Sequence, residues 1–168
     1  MNFFKAATTS VPLLEISAPL WRQLIEHLRQ QGAGLRESGA FLLGRKTDSS
    51  RMMTQFLPYE WLQADALQRD YVSLTAASFA KLWDVCRAED LVVVADVHTH
   101  RFGAGQSRSD MANPMVALKG HIALIIPRFA QGTIRLNDVG LYVYQGNHAW
   151  VSHNGLDVSR VLHIDGKE

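Results

Sequence analysis

The stretch DVHTHRFGAGQSRSD, residues 96–110, sets side chains able to hold a metal ion at short spacing. On a strand, side chains at i and i+2 leave the same face, so His98 and His100 project together. Two imidazoles placed in this way can share one ion. Zinc then needs a third protein ligand and an open position for water. Asp110 can return to the pair, because Arg101 to Gln106 is long enough to reverse the chain and Gly103 and Gly105 ease the turn. A plainer reading stands beside this one. A strand can end in two histidines for packing or solvation, and Ser107 with Asp110 resembles a capping box. The two are compatible, since a capped helix can hold Asp110 in place.

These residues need a scaffold, and the chain contains the patterns for one. SAPLWRQLIEHLRQQG reads as a first helix, with Ser17 as cap and Pro19 in its first turn. Leu20, Leu24, Ile25 and Leu28 form its apolar face, and Gly32 and Gly34 end it. ESGAFLLGRKTDSSRMMTQFLPYEW reads as two strands joined at Thr47 to Ser50. Residues 62–72 show no clear period and read as a small insertion facing a substrate. TAASFAKLWDVCRAED is a second helix, on which Phe79, Leu82, Trp83 and Cys86 recur at helical spacing. Cys86 is therefore read as packed core and not as a nucleophile.

LVVVADVHTH is continuously apolar, as a strand buried on both faces near the middle of a sheet would be. The histidines then lie at its C-terminal end, where open α/β sheets place their ligands. A short helical stretch is expected over Asp110 to Leu118, interrupted by Pro114. HIALIIP is another buried strand, and GLYVYQGNHAWVSH ends the fold as a hairpin around Gln145 to Asn147. The alternation predicts an α/β domain with a mixed β-sheet flanked by helices.

The 168 residues suit a single domain over 1–168 with the insertion at 62–72. Seventeen basic and sixteen acidic residues nearly cancel, so nothing here asks for nucleic acid or an acidic membrane. One cysteine excludes an intramolecular disulfide and an all-cysteine zinc site. The opening MNFFKAATTSVPLLE lacks the pattern of a signal peptide, and runs such as LVVVA and IALIIP are too short to span a bilayer. A soluble cytoplasmic protein is expected.

One further acidic residue completes the set. Glu37 opens ESGAFLLG, and alone it is most simply a solvated residue at a strand edge. Glu37, then HxH at His98 and His100, then SxxD at Ser107 and Asp110, resembles the JAMM metalloproteases of the MPN (JAB-domain) family. Their pattern is a glutamate on an early strand, HxH, a loop and SxxD. The similarity runs from about Glu37 to Pro127, and the compact chain looks most like the stand-alone bacterial members. Two departures stand out. The family usually has seven residues between the second histidine and the serine, where Arg101 to Gln106 supplies six; Arg101 also stands where a proline commonly follows HxH.

The resemblance implies the MPN/JAB fold, a layered architecture broadly like that of cytidine deaminases. It implies one Zn2+ ion held by His98, His100 and Asp110, with water in the fourth position at a lowered pKa. Glu37 would take that water's proton and pass it to the leaving amine. Zinc and the Ser107 hydroxyl would stabilise the oxyanion. It further implies a deubiquitinase-like isopeptidase. Its partner would be a ubiquitin-like protein with an extended C-terminal tail, lying beside a sheet edge. Activating and conjugating enzymes of one pathway, in some bacteria linked to anti-phage defence, would accompany it.

Two other readings are weighed against it. DVHTH also resembles the opening of barrel amidohydrolases and phosphoesterases, but only 68 residues follow His100, too few for a barrel of about 250 residues. The PCxxC signature of zinc deaminases is absent. A metal-free MPN scaffold is the binding-module alternative, and such scaffolds typically lack the full set of Glu37, His98, His100 and Asp110. Asp96 shares a face with His98 and is read either as an outer partner of that histidine or as a cap for a neighbouring backbone group. His121, His27, His148, His153 and His163 are read as structural or solvated.

Overall fold

The computed structural model describes residues 13–166. Most of the opening stretch MNFFKAATTSVPLLE lies in residues 1–12, outside them. Among the described residues, eight strands form one mixed sheet: β1 (Leu14–Ser17), β2 (Gly39–Lys46), β3 (Arg51–Pro58), β4 (Val92–Thr99), β5 (Ile122–Ile126), β6 (Gly140–Gly146), β7 (Ala149–His153) and β8 (Leu162–Asp165). Their order is β7-β6-β5-β4-β2-β3-β1-β8. The helices are α1 (Ala18–Gly32), α2 (Tyr59–Leu62), α3 (Ala76–Glu89) and α4 (Arg108–Ala112), with short 3-10 turns between strands. The architecture is α/β, a mixed sheet flanked by helices.

The sheet separates two apolar layers. On one face, Leu24, Ile25 and Leu28 of α1 pack on Ala40, Leu42, Ala95, Val97, Leu124 and Leu141. On the other, Leu82 and Cys86 of α3 join Phe41, Leu43, Tyr59 and Leu62. The strict alternation along β2, with Leu42 on one side and Phe41 and Leu43 on the other, follows from the two-residue period of a strand. β4 is buried from Val94 to Thr99 and lies fourth of eight, so its unbroken apolar run reflects cover on both faces.

α1 begins where the sequence indicates, with the Ser17 hydroxyl accepting from the Leu20 amide at 3.4 Å. It ends at Gly32 as expected, with Ala33 at φ 49° as the left-handed cap and Gly34 following at φ 71°. Cys86 is core, whereas Trp83 on the same helix remains 39% exposed. The stretch expected to be helical over 110–118 is helical only over α4. The helix stops at Ala112 because Pro114 cannot continue it and disfavours helix at the preceding residue. The last hairpin turns at Asn147 and His148, both at positive φ, which suits a tight two-residue turn.

β1 and β8 were not expected. They pair in parallel with each other and extend the sheet beyond β3, so the fold does not end at His153. Among the described residues, no helix is long and apolar enough to cross a membrane.

Candidate metal centre

Strand pairing explains how residues 60 positions apart meet. β2 runs antiparallel to β4 with Gly39 opposite His98. One step further, Thr99 N donates to Ser38 O at 2.9 Å and Ser38 N donates to Thr99 Oγ1 at 3.0 Å. The next step sets Glu37 beside His100, with Oε1 4.0 Å from Nε2. The Ser38 hydroxyl also donates to Leu28 O at 2.8 Å, tying this corner to α1. Gly39 is required here. A Cβ would stand 2.4 Å from Tyr59 Cε2 and 2.6 Å from Val97 O.

The loop after His100 returns α4 to the pair. Gly140 lets it approach β6, since a Cβ there would lie 2.2 Å from Ala104 O, and Tyr142 Oη donates to that oxygen at 2.7 Å. Ser107 and Asp110 form the capping box. Asp110 N donates to Ser107 Oγ at 3.1 Å, and Ser107 N donates to Asp110 Oδ2 at 2.6 Å. The box turns the carboxylate toward the histidines: Asp110 Oδ2 is 3.2 Å from His100 Nε2, and Oδ1 is 3.5 Å from His98 Nε2. The six-residue loop thus spans the distance, and capping coexists with approach to the histidines.

All four groups converge, and the donor set suits a cation. The Glu37, His98 and His100 donor atoms lie within 4.8 Å of one another and could hold a metal ion. Asp110 is closer still to both histidines. Tetrahedral zinc bonds of about 2.0–2.1 Å set neighbouring ligand atoms about 3.4 Å apart. Asp110 faces the histidines through separate oxygens, each near that spacing from its own histidine; the histidine pair at 2.9 Å is slightly tight, and the Glu37 separation of 4.0 Å lies outside it.

The electrostatics follow from burial. Glu37 and His98 are buried. Burial pushes the Glu37 carboxyl above its usual value of 4.5, against the pull of His98 and His100. Burial favours the neutral form of His98, yet the Asp110 hydrogen bond and charge outweigh it and raise His98 above 6.5. Burial likewise opposes ionised Asp110, but hydrogen bonds from His100 and His98, with that from the Ser107 amide, hold it far below the usual carboxylate range.

A cleft of about 100 Å³ opens on His98, Ser107 and Asp110, with Trp150 of the edge strand β7 on its wall. A shallower depression of about 330 Å³ lies over His100, Phe102 and Gly103. Asp70 borders both, and Gln68 O accepts from Glu37 N at 3.1 Å. The 62–72 segment therefore forms one bank of the site.

Asp96 takes neither role considered for it. Its Oδ1 is 2.5 Å from His121 Nε2, and its Oδ2 accepts from Tyr59 Oη at 3.4 Å; all three residues are buried. His121 is thus structural. The missing signal was the parallel β4–β5 register, which sets Asp96 opposite Ala123.

No family model matches the sequence. The fold has solved counterparts. A solution structure of a protein from Desulfitobacterium hafniense aligns with a TM-score of 0.67 at 14% identity, over 91% of this chain and 94% of that chain. A solution structure of a protein from Salinibacter ruber aligns with a TM-score of 0.60 at 17% identity, over 90% and 92%. The likeness is one of fold. At such identities it carries no chemistry across, and the site stands on its own geometry.

Proposed function

We propose that this chain is a JAMM-type zinc peptidase in an MPN/JAB-like single domain over 1–168, cutting after the extended C-terminal tail of a ubiquitin-like protein. The observation that carries the proposal is the approach of the Asp110 carboxylate to both histidines, with Glu37 on the facing strand end. His98, His100 and Asp110 would hold one zinc ion. Zinc supplies Lewis acidity there, lowering the pKa of water and polarising a carbonyl.

The chain's own groups supply the rest. Glu37 has a raised pKa and stands at the rim of the ligand set, where it takes a proton from the attacking water. The water oxygen bonds to the carbonyl carbon, the C–N bond breaks, and Glu37 returns the proton to the leaving amine nitrogen. The Ser107 oxygen accepts from Asp110 N, which leaves its O–H free to donate to the oxyanion. The narrow cleft between Asp70 and Trp150 favours a tail ending in small residues.

Metal content tests the ligand set. Purified protein should hold about one zinc per chain, and His98→Ala and Asp110→Ala should each lose it. An Asp110→Ala variant that keeps full zinc while Glu37→Ala loses it would make Glu37 a ligand and remove the base from the mechanism.

A further inference from the structure

A separate cavity lies at the N-terminal end of β4. It has a volume of about 810 Å³, within the roughly 300–1,000 Å³ typical of small-molecule sites. Val93 lines it from the sheet, Trp83 and Cys86 from α3, and Val116 and Leu118 from the segment after α4. Trp83 is 39% exposed and Leu118 68% exposed, so two large apolar side chains meet water around one concavity. A cluster of this kind marks a binding surface more than scattered exposed residues do. His121 forms part of the wall, and its bond to buried Asp96 separates this cavity from the cleft beside His98.

The mouth is basic. Lys46, Arg51, Arg87 and Lys119 line it, against Asp90 alone. Two of these cations are already engaged. Arg87 pairs with Asp84. Arg51 donates to Val94 O at 3.3 Å and to Gly120 O at 2.5 Å, which pins the turn bearing Leu118 and Lys119. Lys46 and Lys119 are exposed and have no hydrogen-bond or ion-pair partner among the described residues.

We propose that this cavity binds a small amphipathic carboxylate, its apolar body against Trp83, Cys86 and Val116 and its head facing Lys46 and Lys119. The apolar lining gains by shedding water around the body. Two ammonium groups are point charges suited to a monoanion; the planar guanidinium fork that favours phosphate is occupied on the backbone. A neutral ligand of the same body gains the burial alone, and a cationic one is repelled. The volume suits a small molecule better than a protein segment. This site is independent of the zinc reading.

The test uses the full chain with decanoate, 1-decanol and decyltrimethylammonium, each below its aggregation concentration, by calorimetry. Cys86, the sole cysteine, gives a local reporter through alkylation by N-ethylmaleimide. Decanoate should bind about tenfold or more tightly than decanol, with the cation weakest, and should slow Cys86 alkylation in step with occupancy. The double variant Lys46→Glu/Lys119→Glu should lose about tenfold in decanoate affinity at an unchanged melting temperature. Its affinity for decanol should hold. Absent decanoate binding, equal binding of the three probes, an unaltered double variant, or binding without protection of Cys86 overturns the proposal.

Discussion

Ser107→Ala separates two roles that the structure gives to one residue. The substitution removes one hydrogen bond, from Asp110 N to Ser107 Oγ at 3.1 Å. The reciprocal bond from Ser107 N to Asp110 Oδ2 uses the backbone and survives. Ser107 is exposed and α4 has five residues, so water can satisfy the freed amide. Loss of a cap costs about 0.5–2 kcal/mol, and these features place this one near 1 kcal/mol or below. For a chain of this size that lowers Tm by about 2–4 °C. A fold with about 5–15 kcal/mol of stability stays essentially fully folded after such a loss, so unfolding cannot depress turnover noticeably. Removing an oxyanion donor instead costs about 100- to 1000-fold in kcat. The assay is therefore kcat and Tm on one preparation, with zinc per chain measured alongside. We expect retained zinc, a small fall in Tm and a loss of two to three orders of magnitude in kcat. A small fall in Tm with kcat within about twofold of the parent would reduce Ser107 to a helix cap and refute its donor role.

Gly39→Ala should cost about 1–3 kcal/mol by overpacking, because its Cβ meets Tyr59 Cε2 at 2.4 Å and Val97 O at 2.6 Å; thermal melting checks it, and an unchanged Tm would contradict the close β2–Tyr59 packing. The pH response of the metal-free protein follows from His98, whose folded pKa lies above 6.5. Its contribution to stability is complete below about pH 6.5 and is lost as pH rises through the folded value. Melting of chelated protein should therefore fall from pH 6 toward pH 9, and Asp110→Asn should flatten that fall. Zinc must displace the same proton, so calorimetry in buffers of different ionisation enthalpy should show proton release on zinc uptake at pH 6, below the raised His98 pKa; no release there would contradict that shift.

The legible part of this molecule was the part governed by short-range periodicity. HxH on a buried strand, the Ser107–Asp110 cap and the α1 and α3 faces each follow from spacing within a dozen residues. Glu37 carried no such signal. Its place beside His100 depends on the β2–β4 register and on Gly39 admitting Tyr59, which no local pattern reveals. β1 and β8 alternate apolar and polar residues over only four positions each, too short a run to stand out, and exist through their parallel pairing. The Asp96–His121–Tyr59 cluster was hidden for the same reason: three polar residues from three segments meet only once the sheet has formed.

The central claim is that Glu37 acts on a proton while other residues hold the metal. Glu37→Gln keeps the size and most hydrogen bonding of the side chain and removes its basicity. The decisive measurement is cleavage of a ubiquitin-like protein bearing a C-terminal extension that the parent enzyme processes, with zinc per chain determined on the same sample. The account predicts parental zinc content and no detectable cleavage, since both proton transfers pass through that carboxylate. Cleavage at the parental rate would contradict it and return Glu37 to a residue that only closes the corner between β2 and β4.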